Sequence, residues 1–319
     1  MRKNKKDLIS LIVPCYNEED TVELFVEAIN DLKNEMNYVN FEIILVDDGS
    51  KDKTIEKIHS IVEKESYVKY ISFAKNFGKE YAMIAGMDAC TGDYATVIDA
   101  DLQHPPKLLI EMYDTVKNGE YDCAAAKSVK RQNYSFIRKF LTNSYYKIIN
   151  AITEVEMVPS ATDYRLMNRK MLDEMKKIRE HNRYLKGIFE IVGFKTKWIE
   201  YEDNERVAGT TKWNIKKLFK YAMTGIISFS QFPLMFLLYL GLFCVFITFA
   251  LLILLLIFAI AHINVNFMFW GLLSIIFFMS SITLCSNGIL GLYIAQIQTE
   301  SKNRPLYTVK ESNIDKKIW

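Results

Sequence analysis

Between Tyr221 and Thr299 the chain runs for 79 residues without one Asp, Glu, Lys or Arg. A water-facing surface cannot be built over that length without charge, so a wholly soluble protein is excluded. All 78 charged residues fall in the other 240, about one in three there. That remainder is too polar for a polytopic transporter and long enough for one or two domains with a real core. The pattern is that of a soluble domain tied to a membrane.

Two apolar spans, 234–261 and 267–297, each exceed the ~20 residues needed to cross a bilayer. The short connection 262–266 lacks Lys and Arg, whereas Lys212, Lys216, Lys217 and Lys220 precede the pair and Lys302, Arg304 and Lys310 follow it. Positive-inside reasoning puts both flanks in the cytoplasm. Just before the spans, Ile215, Leu218, Phe219, Ala222 and Ile226 form one helical stripe, with the lysines on much of the rest. Such a helix is expected to lie in the headgroup layer. The basic start, Met1 to Lys6, precedes an apolar run of only 8–13, too short for a signal peptide. The five cysteines are scattered with no CxxC pair, which argues against a disulfide framework or zinc site and fits a reducing compartment. A net charge of +2 gives no case for nucleic acid as a partner.

Over the first 130 residues short apolar runs alternate with amphipathic stretches. Residues 8–13, 42–46, 68–73, 94–98 and 123–126 read as strands, and 20–36, 53–64, 78–90 and 106–117 as helices. Gly92 suits a left-handed cap closing the third helix. This alternation implies an α/β fold with a mostly parallel sheet, whose ligands gather at the carboxyl ends of the strands. The polar clusters fall there: Pro14 to Glu19, Asp47-Asp48-Gly49-Ser50, and Asp99 to Gln103. Asp99 and Asp101, one residue apart, can share a hard divalent cation with the Gln103 amide oxygen as a further ligand. Mg²⁺ or Mn²⁺ held so would offset the charge of a diphosphate leaving group. Taken singly such clusters are weak evidence, an isolated Asp-x-Asp being more often a cap or turn than a metal site.

In order along the chain, however, the pieces resemble the family 2 glycosyltransferases of the GT-A (Rossmann-like) fold. The matching stretches are Val13-Pro14-Cys15-Tyr16-Asn17-Glu18-Glu19, Val46-Asp47-Asp48-Gly49-Ser50, Asn76-Phe77-Gly78-Lys79-Glu80 and Asp99-Ala100-Asp101-Leu102-Gln103-His104-Pro105-Pro106. Ala161-Thr162-Asp163-Tyr164-Arg165-Leu166 and Arg206-Val207-Ala208-Gly209-Thr210-Thr211-Lys212-Trp213 complete the set. The set resembles the polyisoprenyl-phosphate glycosyltransferases, which include dolichol-phosphate mannosyltransferase and bactoprenol glucosyltransferases, and with two spans the likeness is closest to the bacterial branch.

The resemblance implies a division of labour. Pro14, Tyr16, Glu18 and Asp48 would hold the base and ribose of the sugar nucleotide, with Asp99, Ala100, Lys127 and Arg206 along its phosphates. Asp99, Asp101 and Gln103 would bind Mg²⁺ or Mn²⁺, and Arg138 the acceptor phosphate. Asp163 aligns with the carboxylate usually named the catalytic base, and Asp101 is the second residue expected at the chemical centre. His104 touches the site or is structural, a loop histidine before two prolines favouring the latter. The implied partners are a UDP-sugar, a polyprenyl phosphate and the lipid bilayer, with homo-oligomers expected. The implied architecture is a cytoplasmic catalytic domain over 1–210, an amphipathic juxtamembrane segment over 211–230, a two-helix hairpin over 231–299 and a cytoplasmic tail over 300–319. Both termini would face the cytoplasm at the inner (plasma) membrane. The implied reaction is inverting transfer of a hexose, UDP-glucose being the favoured donor, onto undecaprenyl phosphate for cell-envelope glycosylation. UDP-N-acetylglucosamine or GDP-mannose as donor stays open, as do a processive polysaccharide synthase and an inactive membrane scaffold. The absence of a Gln-x-x-Arg-Trp motif argues against the synthase, and the retained Asp99, Asp101 and Asp163 against the scaffold.

Overall fold

A computed structural model describes residues 6–129, 150, 158, 161–181, 185–202, 232–260 and 266–314. Arg138, Arg206, Gly209 and the amphipathic stripe from Ile215 to Ile226 lie outside the described residues.

Strands β1 (Leu8–Cys15), β2 (Asn40–Asp47), β3 (Val68–Phe73), β4 (Tyr94–Val97) and β5 (Cys123–Ser128) alternate with helices α1 (Val22–Glu35), α2 (Thr54–Lys64), α3 (Lys79–Ala89) and α4 (Leu108–Lys117). Beyond them come β6 (Ala161–Asn168), α5 (Arg169–Lys177), α6 (Leu185–Ile191), β7 (Thr196–Tyr201), the long helices α7 (Phe232–Ile260) and α8 (Asn266–Ser301), and β8 (Val309–Ser312). The eight strands of the described residues join one sheet in the order β7-β5-β6-β4-β1-β2-β3-β8. Pairings β1–β2, β1–β4, β2–β3 and β5–β7 are parallel, whereas β6 runs antiparallel to β4 and β5, and β8 antiparallel to β3.

Period-two alternation sorts the strands between two cores. Ile9, Leu11 and Val13 of β1 pack with Ile43 and Leu45 of β2 against α1, α2 and α4. Ile12, Ile44 and Val46 turn to the other face, against α3, α5 and α6. Helix α3 is buried nearly all round, from Ala82 to Met87 and again at Ala89. Its Gly86 sits directly on β1, where a Cβ would come 2.2 Å from Ile12 Cγ2.

A buried carboxylate ties this second face together. Glu42, 4% exposed, accepts hydrogen bonds from the hydroxyls of Ser10 and Thr91, the amides of Thr91 and Gly92, and Lys69 Nζ at 2.8 Å. Burial alone would raise its pKa, but these donors, Lys69 and Ser10 foremost, hold it below the ordinary carboxylate value. Gly92 corrects an expectation: its φ is not positive, and no left-handed cap forms. Closeness is the reason for glycine, since a Cβ there would meet Ser10 Oγ at 2.5 Å and the Leu8 carbonyl oxygen at 2.7 Å.

The segment after α8, read above only as a tail, contributes β8 to the sheet edge. Tyr307 stacks on Phe73 with centroids 5.1 Å apart, and its hydroxyl donates to Asp88 at 2.9 Å. Asp88 also accepts a two-pronged pair from Arg179 at 2.7 and 2.9 Å. Glu300, at the end of α8, accepts from the His181 amide at 2.8 Å, and the His181 carbonyl accepts from Tyr81 of α3. Along α7 and α8 large apolar side chains such as Phe246, Ile260, Leu284 and Ile297 are exposed. Among the described residues one stretch, Phe278–Ser301, is long and apolar enough to cross a membrane. Cys15, Cys90, Cys123 and Cys244 are buried, and no disulfide joins them.

Candidate active site

The loops leaving β1 and β2 are stitched into one rim. The Asn17 amide donates to Ser50 Oγ at 2.9 Å, and Asn17 Oδ1 accepts from the Lys51 amide at 2.8 Å. The Glu18 amide donates to Thr54 Oγ1 at 2.8 Å, while Glu18 Oε2 accepts from Thr21 Oγ1 at 2.9 Å. Asn17 has φ 52°, the left-handed region that asparagine tolerates. Pro14, Tyr16 and Glu18 are thereby set on one partly exposed ledge.

Asp47 and Asp48 end β2 with different tasks. Asp47 accepts from the Ser50 amide and from Ser72 Oγ, closing the turn onto β3. Asp48 reaches across to the next loop and accepts from the amides of Phe77 at 2.7 Å and Gly78 at 2.9 Å. Burial pushes its carboxyl up to about 6, partly offset by those two amides, with the neighbouring Asp47 charge adding to the rise. Gly78, at φ 113° and ψ 154°, then turns the chain into α3, whose first residue is Lys79.

Lys79 Nζ lies 2.8 Å from Asp99 Oδ1 and 3.1 Å from Asp163 Oδ2. Desolvation works against its charge, but the Asp99 and Asp163 carboxylates outweigh that and hold its pKa above the ordinary lysine value. The strand register explains why two carboxylates 64 positions apart meet. Val97 of β4 pairs with Arg165 of β6 in antiparallel sense. Continued two residues outward, that register sets Asp99 opposite Asp163. Arg165 fixes β6 from beneath: 1% exposed, its guanidinium lies 4.2 Å from the Phe189 centroid and 4.9 Å from that of Trp198, and it pairs with Glu190 at 3.3 Å.

Asp101 follows on the same loop, its Oδ1 accepting from the Gln103 amide at 3.1 Å around Leu102 at φ 55°. Among the described residues no group of three His, Cys, Asp or Glu side chains could hold a metal unaided. Two carboxylates and an amide oxygen nevertheless fit Mg²⁺ or Mn²⁺, which commonly take one or two carboxylates and complete their shell with water and substrate phosphate. The His104 Nδ1 lies 2.6 Å from Tyr201 Oη, and its ring stacks on Tyr164. Lys127, on β5, pairs with Glu200 at 3.1 Å. The structure thus gathers Pro14, Tyr16, Glu18, Asp48, Asp99, Asp101, Gln103 and Asp163 at the carboxyl ends of β1, β2 and β4 and the facing start of β6. Lys79 is the residue that sequence reasoning left without a role, although it stands inside a quoted motif. The cavity of about 430 Å³ lined by Asp88, Arg179, Arg304 and Tyr307 lies away from these carboxylates, at the junction with α8.

The chain is similar to several known proteins. The profile of glycosyl transferase family 2 matches residues 10–176. The chain is 39% identical to a putative glycosyltransferase, CsbB, of Bacillus subtilis, over 98% of this chain and 94% of the relative. It is 36% identical to the bactoprenol glucosyl transferase of Shigella phage SfII, over 96% of this chain and 98% of the relative. Among solved structures it resembles the mannosyltransferase PcManGT of Pyrobaculum calidifontis, in complex with GDP-Man and Mn²⁺. That match has a TM-score of 0.50 at 14% identity, covering 70% of this chain and 63% of the other. It also resembles glucosyl-3-phosphoglycerate synthase of Mycobacterium tuberculosis in complex with Mn²⁺, UDP and phosphoglyceric acid, with TM-score 0.51 at 19% identity over 69% and 76%. These likenesses identify the sheet and its helices as the GT-A fold.

Proposed function

The chain belongs to glycosyl transferase family 2, and from that premise we propose that it moves a hexose from a UDP-sugar, UDP-glucose first among them, onto undecaprenyl phosphate with inversion at the sugar. The observation that carries this reading is the meeting of Asp99 and Asp163 across Lys79 beside Asp101, where the sheet delivers its strand ends. Relatives named bactoprenol glucosyl transferase, aligned over nearly their whole length, support the lipid acceptor.

Pro14, Tyr16, Glu18 and Asp48 hold the nucleoside on the ledge after β1 and β2, and Ala100, on the loop after β4, belongs to the same sugar-nucleotide site. Asp99, Asp101 and Gln103 would hold Mg²⁺ or Mn²⁺, which when bound offsets the charge of the departing diphosphate. Lys127 and Arg206 serve the donor phosphates, and Arg138 pairs with the acceptor phosphate. A phosphate monoester has its second pKa at about 6 and is largely ionised at neutral pH. The acceptor oxygen therefore needs little deprotonation. Asp163 orients that oxygen and stabilises positive charge developing on the sugar.

Helices of 29 and 36 residues are ~43 and ~54 Å long, longer than a ~30 Å hydrocarbon core, and they suit a hairpin through the bilayer with both ends cytoplasmic. The segment 211–230 would rest in the headgroups and hold the domain of 1–210 against the surface where the acceptor phosphate lies. The test is incubation of the purified protein with polyprenyl phosphate and a panel of UDP-glucose, UDP-N-acetylglucosamine and GDP-mannose, read by lipid mass spectrometry. A polyprenyl-phosphate hexose from the UDP-glucose arm is expected. No glycolipid from any donor would sink the reading.

A further inference from the structure

Strand register brings the Asp99 and Asp163 carboxylates together, and the Lys79 ammonium between them offsets their repulsion. The Lys79 side chain is partly open to solvent along its length, and its ammonium stands on both oxygens of Asp99, at 2.8 and 2.9 Å, and on Oδ2 of Asp163. Its backbone is less free, because Asp48 grips the amides of Phe77 and Gly78 immediately before it. A fixed stem with a displaceable charged head is suited to exchange one ionic partner for another. Asp99 would help to hold a divalent cation, and the ammonium now on its oxygens would compete with that cation through like-charge repulsion. Asp163 is then the partner left within reach of the retained stem.

We propose that Lys79 is a positioning residue that occupies Asp99 in competition with the divalent cation and, once displaced from it, holds Asp163 in place for the transfer. The inference rests on the reading of Asp99 as a metal-side carboxylate, and it makes two claims that are measured separately.

The first is tested on full-length protein without nucleotide, by titrating Mn²⁺ and following the free ion by electron paramagnetic resonance. Lys79→Met should bind Mn²⁺ about tenfold more tightly than wild type, because the competing charge is gone. Lys75→Met removes a nearby lysine that points at the Phe77 ring instead and should change the affinity by less than twofold. The second is tested by transfer kinetics at saturating Mn²⁺. Lys79→Met should lower kcat by about 30-fold with the donor KM within threefold, and Lys79→Arg should recover much of kcat. A melting curve checks that each variant is folded, and Lys79→Gln serves if Met at this half-exposed site proves insoluble.

Unchanged or weaker Mn²⁺ binding in Lys79→Met overturns the competition, as does an equal gain in Lys75→Met. An unchanged kcat overturns the positioning of Asp163. Mn²⁺ binding needs no substrate, so it stands or falls apart from the proposed reaction. If the wild type fails with every donor yet the Mn²⁺ shift appears, the function is wrong and the ionic competition is right.

Discussion

Gly49→Ala should damage the site through backbone crowding rather than through the loss of a side chain. Gly49 sits at φ 65°, and a Cβ there would lie 2.5 Å from the Lys75 carbonyl carbon, 2.7 Å from the Asn76 nitrogen and 2.9 Å from Lys75 Cα. All three are backbone atoms and cannot swing aside. Reaching an ordinary contact of 3.4 Å requires the Lys75–Asn76 backbone to retreat by 0.9 Å. That movement pulls on the Phe77 and Gly78 amides held by Asp48, and with them on the root of Lys79. Left-handed strain of about 1 kcal/mol and overpacking of about 1–3 kcal/mol together give a loss near ~3 kcal/mol. For a domain of this size that is a fall in Tm of roughly 6–12 °C. A shift near 1 Å beside reacting groups lowers kcat by up to about 100-fold. The measurements are thermal unfolding of the detergent-solubilised protein and transfer kinetics well below its Tm. A variant with Tm within 1 °C and kcat within twofold of wild type would refute the claim that these two loops are wedged together.

Glu42→Gln should lower Tm by roughly 6–12 °C, from about 3 kcal/mol, because one amide oxygen cannot satisfy donors gathered around two. Because Glu42 titrates below its unfolded value, its stabilisation is complete above the ordinary carboxylate range and fades as pH falls through the folded value. The wild-type and variant melting curves should accordingly converge below about pH 4, and a gap that widens with acid would reverse the sign. EDTA should abolish transfer and Mg²⁺ or Mn²⁺ restore it, while Asp101→Asn leaves the melting curve intact and removes activity; turnover in excess chelator would sink the metal assignment. Arg138→Ala should raise the KM for polyprenyl phosphate and leave UDP affinity, measured by calorimetry, nearly unchanged; the opposite split moves Arg138 to the donor side. Tyr307→Ala removes the stack on Phe73 and the bond to Asp88, and should lower Tm by roughly 4–8 °C from about 2 kcal/mol, as checked by thermal unfolding.

The first five strands and four helices were legible because each carries its own local pattern. Runs such as Ile9 to Val13 and Ile43 to Val46 are mostly apolar and rich in β-branched residues, and helices such as α1 bury one face at the helical period. Local pattern fails where long-range partners decide. Nothing in Ala161 to Asn168 announces a strand inserted antiparallel between β4 and β5, yet that insertion brings Asp163 to Asp99. Val309 to Ser312 reads as a polar tail and becomes a strand only because β3 offers it an open edge. Gly92 was legible as a glycine that matters, though the reason is the closeness of Ser10 and Leu8 rather than its φ. The candidate site was visible as motifs, with one member unassigned: the role of Lys79 depends on which carboxylates the fold places on either side of it.

The β3–β8 pairing also sets an order of events during synthesis. Tyr70 bonds through its amide to Asn313, 243 residues later. While the chain is emerging, the β3 edge is made early and stays unpaired until both long helices have been translated. An open edge of that kind can pair with the wrong chain, and closure over so long a separation is slow. If α7 and α8 enter the bilayer as they are made, the domain is tethered there before its last strand arrives, and neighbouring copies are kept from diffusing freely together. Insertion would then act as an intramolecular chaperone, with β8 as the latch that closes the sheet afterwards.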